Sequence, residues 1–141
     1  MPVRRAGMEE LFVRAGVDPA RLRDARKEAD RSGVSLVEGV QRVNAVSPEV
    51  VARSLSEMLG LPYRDHLELE QIDVELVRPI SLAMAREEGV LPLWHEAGFV
   101  RVAIADGRAM GLLADLRLLY KKPVRPVVVP SDVLRDATNK T

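Results

Sequence analysis

The sequence contains no cysteine, few aromatic residues and no surplus of charge of either sign. The lack of cysteine excludes disulfide frameworks, thiol catalysis and cysteine-ligated metal sites. Lys and Arg together number 21, as do Asp and Glu. Because proteins that neutralise several phosphates usually carry a basic surplus, we expect no nucleic acid partner. No apolar run approaches the ~20 residues that cross a bilayer, so we expect no direct membrane insertion.

The remaining composition is that of a folded domain. Apolar residues make up 47% of the 141 residues and charged residues 30%, a balance typical of globular proteins at about the modal size of one domain. Near the N-terminus, Arg4 and Arg5 are followed by Met8 and Glu9, and not by the apolar stretch of a signal peptide. We therefore expect a cytoplasmic protein.

Residues 1–62 show the signals of helices. Asp18-Pro19 and Ser47-Pro48 each pair a capping side chain with a proline at the first helical position. Gly60 suits the left-handed residue after a helix. The predicted apolar faces are Leu22, Ala25 and Ala29, then Leu36, Val40 and Val43 behind a Ser35 cap, then Val50, Val51, Ser54, Leu55, Met58 and Leu59. This region is predicted to hold two αα motifs, which form a weak repeat.

Residues 63–80 read as a connecting segment, and residues 81–141 change to a β period. Strands are predicted at 90–94, 99–105 and 124–129, with a turn at 95–98 and with Pro126 indicating an edge strand. Asp73, Ser81 and Ser131 are predicted caps. The helix after Asp106-Gly107 is predicted to point Met110, Leu112, Leu113, Leu116, Leu119 and Tyr120 inward. The fold class is therefore α+β: a helical subdomain and a ββαβα mixed-sheet subdomain in one compact unit, with a right-handed crossover between the last two strands.

No constellation of catalytic residues is found. The phosphate-binding pattern Gly-x-x-x-x-Gly-Lys-Ser/Thr is absent, and the serines stand mostly at helix starts, where capping explains them. His66 and His95 lie far apart, without ligand partners at metal-site spacing. We expect no catalytic residues, no cofactor and no metal. Lys121-Lys122 and Arg125 are interpreted as solvated charge, and Trp94 either as an interface anchor or as a cap on the core.

Four segments together resemble a known family. They are residues 46–63, 72–77, 90–93 and 100–106, which read VSPEVVARSLSEMLGLPY, IDVELV, VLPL and VRVAIAD. In order and spacing they are similar to the N-terminal domain of the ATPases that drive type II secretion and type IV pilus assembly, of the GspE, PilB and MshE type. The resemblance covers residues 11–139.

The resemblance implies one of two functions. In secretion ATPases the domain docks the motor onto the cytoplasmic part of an inner-membrane platform protein. In another branch, two helical motifs bind cyclic di-GMP, each opening with Arg-Leu-Gly and ending in Gln. The first opening falls here near Gly7-Met8-Glu9 with Ala29 at its Gln position. The second falls on Ser35-Leu36-Val37 with Met58 at its Gln position, so that both arginines, both glycines and both glutamines are replaced.

These replacements favour docking over ligand binding, since no guanidinium remains in the motif to compensate a dianion. We expect a non-catalytic docking or regulatory domain whose partner is a platform protein or a motor ATPase. It would be recruited to the inner face of the inner membrane. The alternative is a cyclic di-GMP receptor. Candidate partner-binding residues lie in the helical region: Phe12, Arg14, Val17 and Arg21.

Overall fold

A computed structural model describes residues 7–43, 45–80, 85 and 89–141, with the backbone alone for Arg108. In the described part of the chain, five α-helices precede the first strand of a three-stranded sheet, one α-helix lies between its second and third strands, and one follows the third. The helices are α1 (Met8–Arg14), α2 (Pro19–Ser32), α3 (Leu36–Arg42), α4 (Pro48–Leu59), α5 (Val74–Val77), α6 (Leu113–Tyr120) and α7 (Ser131–Lys140). The strands are β1 (Val90–Glu96), β2 (Phe99–Ile104) and β3 (Val124–Val128). The α+β class predicted from the sequence is confirmed.

The helical part follows the predicted caps. The Asp18 side chain accepts a hydrogen bond from the Ala20 amide (2.9 Å), and the Ser47 hydroxyl accepts one from the Val50 amide (3.2 Å). Gly60 follows α4 with φ +68°, a left-handed conformation that costs glycine little. Each cap satisfies an amide that the first turn leaves without an intrahelical partner. The predicted starts of α2 and α4 and the predicted end of α4 are thus confirmed.

The inner face predicted for α3 is partly wrong. Val40 is fully buried as expected, but Leu36 and Val43 are only half-buried. Val37 and Gly39 are the other buried residues of this helix. A Cβ built on Gly39 would lie 2.5 Å from the Ala25 carbonyl oxygen and 3.0 Å from the Ala29 Cβ. The backbone of α3 therefore packs directly against α2, which rotates its buried side away from the face that apolar spacing predicts.

The sheet has the order β1-β2-β3, with β1 antiparallel and β3 parallel to the central strand. Pro126 is in β3, at an edge, as predicted. The predicted turn at 95–98 is too long, because Glu96 pairs with Phe99 and leaves a two-residue turn. Gly98 in that turn has φ +85°, which a tight hairpin requires. His95 therefore belongs to a strand and not to a loop.

The connecting segment does more than link the two parts. The Arg64 amide donates to the Val128 carbonyl and the Val128 amide donates to the Pro62 carbonyl, each at 2.9 Å. Residues 62–64 thus pair with the outer edge of β3, which reduces the length of unpaired strand edge. Further along, the Asp73 side chain accepts from the Glu75 amide (3.0 Å) and begins α5 as predicted. The predicted Ser81 cap lies outside the described residues.

The inward face predicted for the helix after Asp106 is wrong at two positions. Met110 is 37% exposed and Leu119 is 47% exposed, whereas Ala109, Leu113 and Leu116 are buried. Residues 107–112 form a 3₁₀ helix before α6 begins. Because a 3₁₀ helix turns every 3.0 residues and an α-helix every 3.6, one apolar spacing cannot hold across both.

Ser131 does not stand at the cap of the last helix, since it is the first helical residue and Pro130 occupies the cap position. The Asp132 carboxylate instead accepts from the Val133 amide at 2.9 Å.

Apolar residues from α1 to α7 and from all three strands form one continuous cluster. The helical and sheet parts are consequently held by a shared core, and no described helix is both long and apolar enough to cross a bilayer.

Tyr120 links α6 to α5, because its hydroxyl donates a hydrogen bond to the Leu76 carbonyl. Burial raises the pKa of Tyr120 to about 12 from an ordinary value of 10. In the unfolded chain the phenol loses its proton near pH 10. We therefore expect stability to be unaffected by this group below pH 10 and to fall as the pH rises from 10 through about 12.

The pKa of Tyr120 is measured from the phenolate absorbance of a Tyr63→Phe variant, which is titrated once in the folded state and once in denaturant. Removing Tyr63 is necessary because burial also raises its pKa. A Tyr120→Phe variant of the same background should lose this part of the pH dependence. An ordinary tyrosine titration in the folded protein would contradict the buried position.

Candidate functional site

Phe12, a predicted partner-binding residue, is not on the surface. Its side chain is fully buried and belongs to the shared core. A partner cannot reach it unless α1 leaves the core. The neighbouring Val13 is 52% exposed and is the apolar side chain that α1 offers to solvent. The assignment of Phe12 to a binding surface was therefore wrong.

The other three predicted partner residues are more accessible. Arg14 is exposed, with its Nη1 3.8 Å from the Glu57 carboxylate on α4. Arg21 is exposed on α2 and donates to the Val43 carbonyl at 3.3 Å. Val17 is half-buried in the turn between α1 and α2 and packs against the core. Both arginines thus bridge helices, and their outer edges face solvent.

The two motif openings named in the sequence analysis meet in one groove. The groove has a volume of about 630 Å³ and is lined by Gly7, Met8, Glu9, Glu10, Val13, Arg14, Arg26 and Leu36. The first opening supplies Gly7, Met8 and Glu9, and the second supplies Leu36. We call this surface the α1–α3 groove. The two segments that the resemblance aligns with the motif openings therefore line the same groove.

The charges of the α1–α3 groove are largely compensated within the protein. Arg26 donates to the Glu9 carboxylate, and Arg14 lies beside Glu57. Glu10 adds a second carboxylate to the groove. Two acidic side chains repel a dianionic ligand, and arginines that already bind carboxylates have fewer donors for phosphate. Among the described residues, this groove therefore offers no clear excess of positive charge.

The remaining motif positions have structural roles. The Ser35 hydroxyl accepts from the Glu38 amide at 3.2 Å and caps α3. Val37 is buried, and Met58 is half-buried against the core from α4. Ala29 is buried where α2 meets Gly39 of α3. Capping and core packing account for each of these positions.

One exposed apolar surface was missed by the sequence analysis. Leu118 on α6 is 79% exposed, the largest exposure among the large apolar residues described. It borders a groove of about 500 Å³, which we call the α6 groove and which is lined by Ala114, Arg117, Leu118, Lys121, Lys122 and Pro123. The sequence does contain a signal for this exposed surface, the adjacent pair Leu118-Leu119. Because adjacent residues of a helix point in different directions, both leucines cannot face one core.

Arginines cover the aromatic rings of the sheet. The Arg64 guanidinium lies 5.1 Å from the centre of the Trp94 ring. Arg101 and Arg125 lie 4.8 and 4.6 Å from the centre of the Phe99 ring. The Trp94 indole donates to Glu96 (2.9 Å), and this bond, with Arg101 beside it, lowers the pKa of the Glu96 carboxyl. The rings are consequently occupied by cation–π contacts and are not open platforms for bases.

The histidines lie in separate surroundings. His66 Nδ1 is 2.9 Å from Asp65 and Nε2 is 3.1 Å from Glu68, and Asp65 chiefly raises the pKa of His66. His95 Nδ1 lies 3.4 Å from Lys122 Nζ. No cluster of three or more metal-ligating side chains occurs in the described part of the chain.

The family comparison gives a direct match. The sequence pattern described as the MshEN domain matches residues 59–141. A curated relative, the type IV pilus assembly ATPase PilB of Pseudomonas aeruginosa, is 26% identical over 98% of this chain. The chain spans about a quarter of that relative's length, since the alignment covers 24% of it.

Solved structures share the fold. One is described as MshE with cdg, at 21% identity and a TM-score of 0.69, with 96% of this chain and 99% of that chain covered. Another is the N-terminal domain of XpsE, at 24% identity and a TM-score of 0.61, with 99% and 98% covered. A second crystal form of the XpsE domain gives a TM-score of 0.68 at 21% identity, with 98% of each chain covered. At these identities the likeness concerns the fold.

Proposed function

The chain belongs to the MshEN domain family, and from this membership we propose that it is a non-catalytic docking and regulatory domain. Its partner is the cytoplasmic domain of an inner-membrane platform protein or a motor ATPase. Docking holds the protein at the inner face of the inner membrane. The single observation that carries the proposal is the set of residues at the motif positions: Met8, Glu9 and Leu36 line the α1–α3 groove, and Ser35, the residue before Leu36, caps α3.

The physical argument is one of compensation. A dinucleotide brings two phosphates, and each needs donors that are not already bound to carboxylates. Arg26 is bound to Glu9, and the Ser35 hydroxyl caps a helix. A protein surface, in contrast, can match mixed charges pair by pair, as the exposed Glu10 and Arg14 require. The groove is therefore better suited to a protein than to a dianion.

The proposal is tested by mixing the chain with the purified cytoplasmic domain of the platform protein encoded with it. We expect association at micromolar concentration or tighter by biolayer interferometry. An unrelated cytoplasmic domain of similar size and charge is the control. No association at high micromolar concentration with either the platform domain or the motor ATPase would refute docking.

The predicted contact face comprises Arg14, Val17 and Arg21. Arg14→Glu and Arg21→Glu should each weaken the complex by about tenfold, because each places a carboxylate where the partner meets a cation. Arg23→Glu is the matched control on the same helix. Circular dichroism melting should establish that all three variants remain folded. Unchanged affinity for both Arg14→Glu and Arg21→Glu would place the contact on another face.

A second candidate, a cyclic di-GMP receptor, is favoured by one observation: a structure with the same fold was determined as MshE with cdg. The convergence of both motif openings in the α1–α3 groove is compatible with it. The acidic residues of this groove oppose binding of the dianionic ligand.

We further propose that residues 1–62, 63–80 and 81–141 act together as one docking unit, since their apolar residues share a core.

A further inference from the structure

The α6 groove combines an exposed apolar side chain with three basic residues. Leu118 is 79% exposed and lines the groove together with Arg117, Lys121 and Lys122. Isolated exposed leucines are common on soluble proteins. Here the leucine lines a concave surface of about 500 Å³ together with Ala114 and Pro123, which gives a side chain from another molecule a place to insert.

The cations of the α6 groove are available to a partner. No carboxylate lies within ion-pair distance of Arg117 or Lys121 in the part of the chain that the structure describes. Lys122 Nζ lies 3.4 Å from His95 Nδ1, and the other ring nitrogen of this histidine lies 3.9 Å from the Asp73 carboxylate. Asp115 is the single acidic residue of α6. The charge of this surface therefore favours a partner with carboxylates or phosphates.

The geometry distinguishes among anionic partners. Bases of a nucleic acid stack on open aromatic faces, but the Phe99 ring already contacts Arg101 and Arg125, which lie 4.8 and 4.6 Å from its centre. A membrane surface would bury Leu118 itself but would leave unfilled the concave surface that Leu118 lines with Ala114 and Pro123. A protein segment can place one large apolar side chain in the groove and carboxylates on its rim, as in helix-in-groove recognition.

We propose that the α6 groove binds an acidic segment of a partner protein that inserts an apolar side chain beside Leu118. This inference rests on the proposed docking function and adds a surface remote in sequence from Arg14 and Arg21. The partner segment is defined by its chemistry: carboxylates spaced to meet Arg117 and Lys121, with a leucine-like or phenylalanine-like residue between them.

The test uses two variants with matched controls. Leu118→Asp introduces a like charge for an acidic partner, and Val74→Asp is the control because Val74 is also exposed, at 54%. Arg117→Glu combined with Lys121→Glu reverses the charge on the rim of the groove, and we call this double variant the rim reversal. Its control, Arg135→Glu combined with Lys140→Glu, changes the net charge by the same amount on α7. Binding of each to the platform protein's cytoplasmic domain is measured by biolayer interferometry, at low and at high salt.

We expect Leu118→Asp and the rim reversal each to weaken binding at least about tenfold, and both controls to bind like the wild type. The rim reversal should also reduce the salt dependence of binding. If the wild type binds and these variants bind equally well, this inference is wrong and the docking function stands. If the wild type binds neither the platform domain nor the motor ATPase, both the inference and the docking function fail.

Vesicles of phosphatidylglycerol and phosphatidylethanolamine in equal parts test the remaining source of anionic groups. We expect no cosedimentation of the chain with them. Cosedimentation that is lost in Leu118→Asp, together with unchanged binding of this variant to the platform domain, would overturn the inference in favour of a lipid surface.

Discussion

Phe12→Ala is expected to lower the free energy of unfolding by about 3–5 kcal/mol, as truncation of a buried phenylalanine usually does. The side chain is fully buried and holds α1 on the shared core. For a domain whose total stability is on the order of 5–15 kcal/mol, this is a large fraction. Denaturant unfolding followed by circular dichroism gives the value from the midpoint and slope.

Val13→Ala is the matched control, because Val13 neighbours Phe12 but is 52% exposed. Its effect should remain within about 0.5 kcal/mol of the wild type. Should Phe12→Ala cost as little as Val13→Ala, the burial of α1 described above would be incorrect, and Phe12 would return as a candidate for partner contact.

Gly39→Ala should destabilise the protein, although alanine normally favours a helix over glycine by about 0.5–1 kcal/mol. The added Cβ would lie 2.5 Å from the Ala25 carbonyl oxygen, a backbone atom that cannot turn aside. Overpacking of this kind costs about 1–3 kcal/mol. We expect a net loss on the order of 1 kcal/mol or more, measured by the same denaturant titration.

Gly111→Ala provides the opposite case, since a Cβ at Gly111 meets no atom within 4 Å. This variant should be neutral or slightly more stable than the wild type. A gain in stability for Gly39→Ala similar to that of Gly111→Ala would show that α2 and α3 are not in direct backbone contact.

Local signals in the sequence were sufficient for much of the fold. Asp18, Ser47 and Gly60 act through neighbouring backbone groups within a few residues, so their roles follow from the sequence. The edge position of β3 followed from Pro126, which has no amide to donate. These predictions depend on covalent chemistry that does not change with tertiary context.

Other features are set by packing between distant segments. Met8, Leu11, Phe12 and Val13 are all apolar, and only contact with the core decides that Val13 is the exposed one. The inward positions of α6 failed because a 3₁₀ helix precedes it. The close approach at Gly39 depends on Ala25 and Ala29 of another helix. No window of sequence contains these relations.

The candidate site shows the same division. Sequence comparison located both motif openings, but only the fold brings Glu9 and Leu36 to one groove and pairs Arg26 with Glu9. Of the residues predicted for the partner face on α1 and α2, Phe12 lies in the core. Partner contact through Arg14, Val17 and Arg21 stays a prediction. The α6 groove emerged from side-chain exposure, which requires the positions of all neighbouring elements.

The central claim is that this MshEN scaffold has kept its helices while losing the side chains that hold a cyclic dinucleotide. Isothermal titration of cyclic di-GMP into the chain tests it most directly, with the platform protein's cytoplasmic domain titrated in a parallel cell. The account predicts saturable heat with the protein partner and none with cyclic di-GMP up to high micromolar concentration. Saturable micromolar binding of cyclic di-GMP, lost in an Arg26→Glu variant, would contradict it.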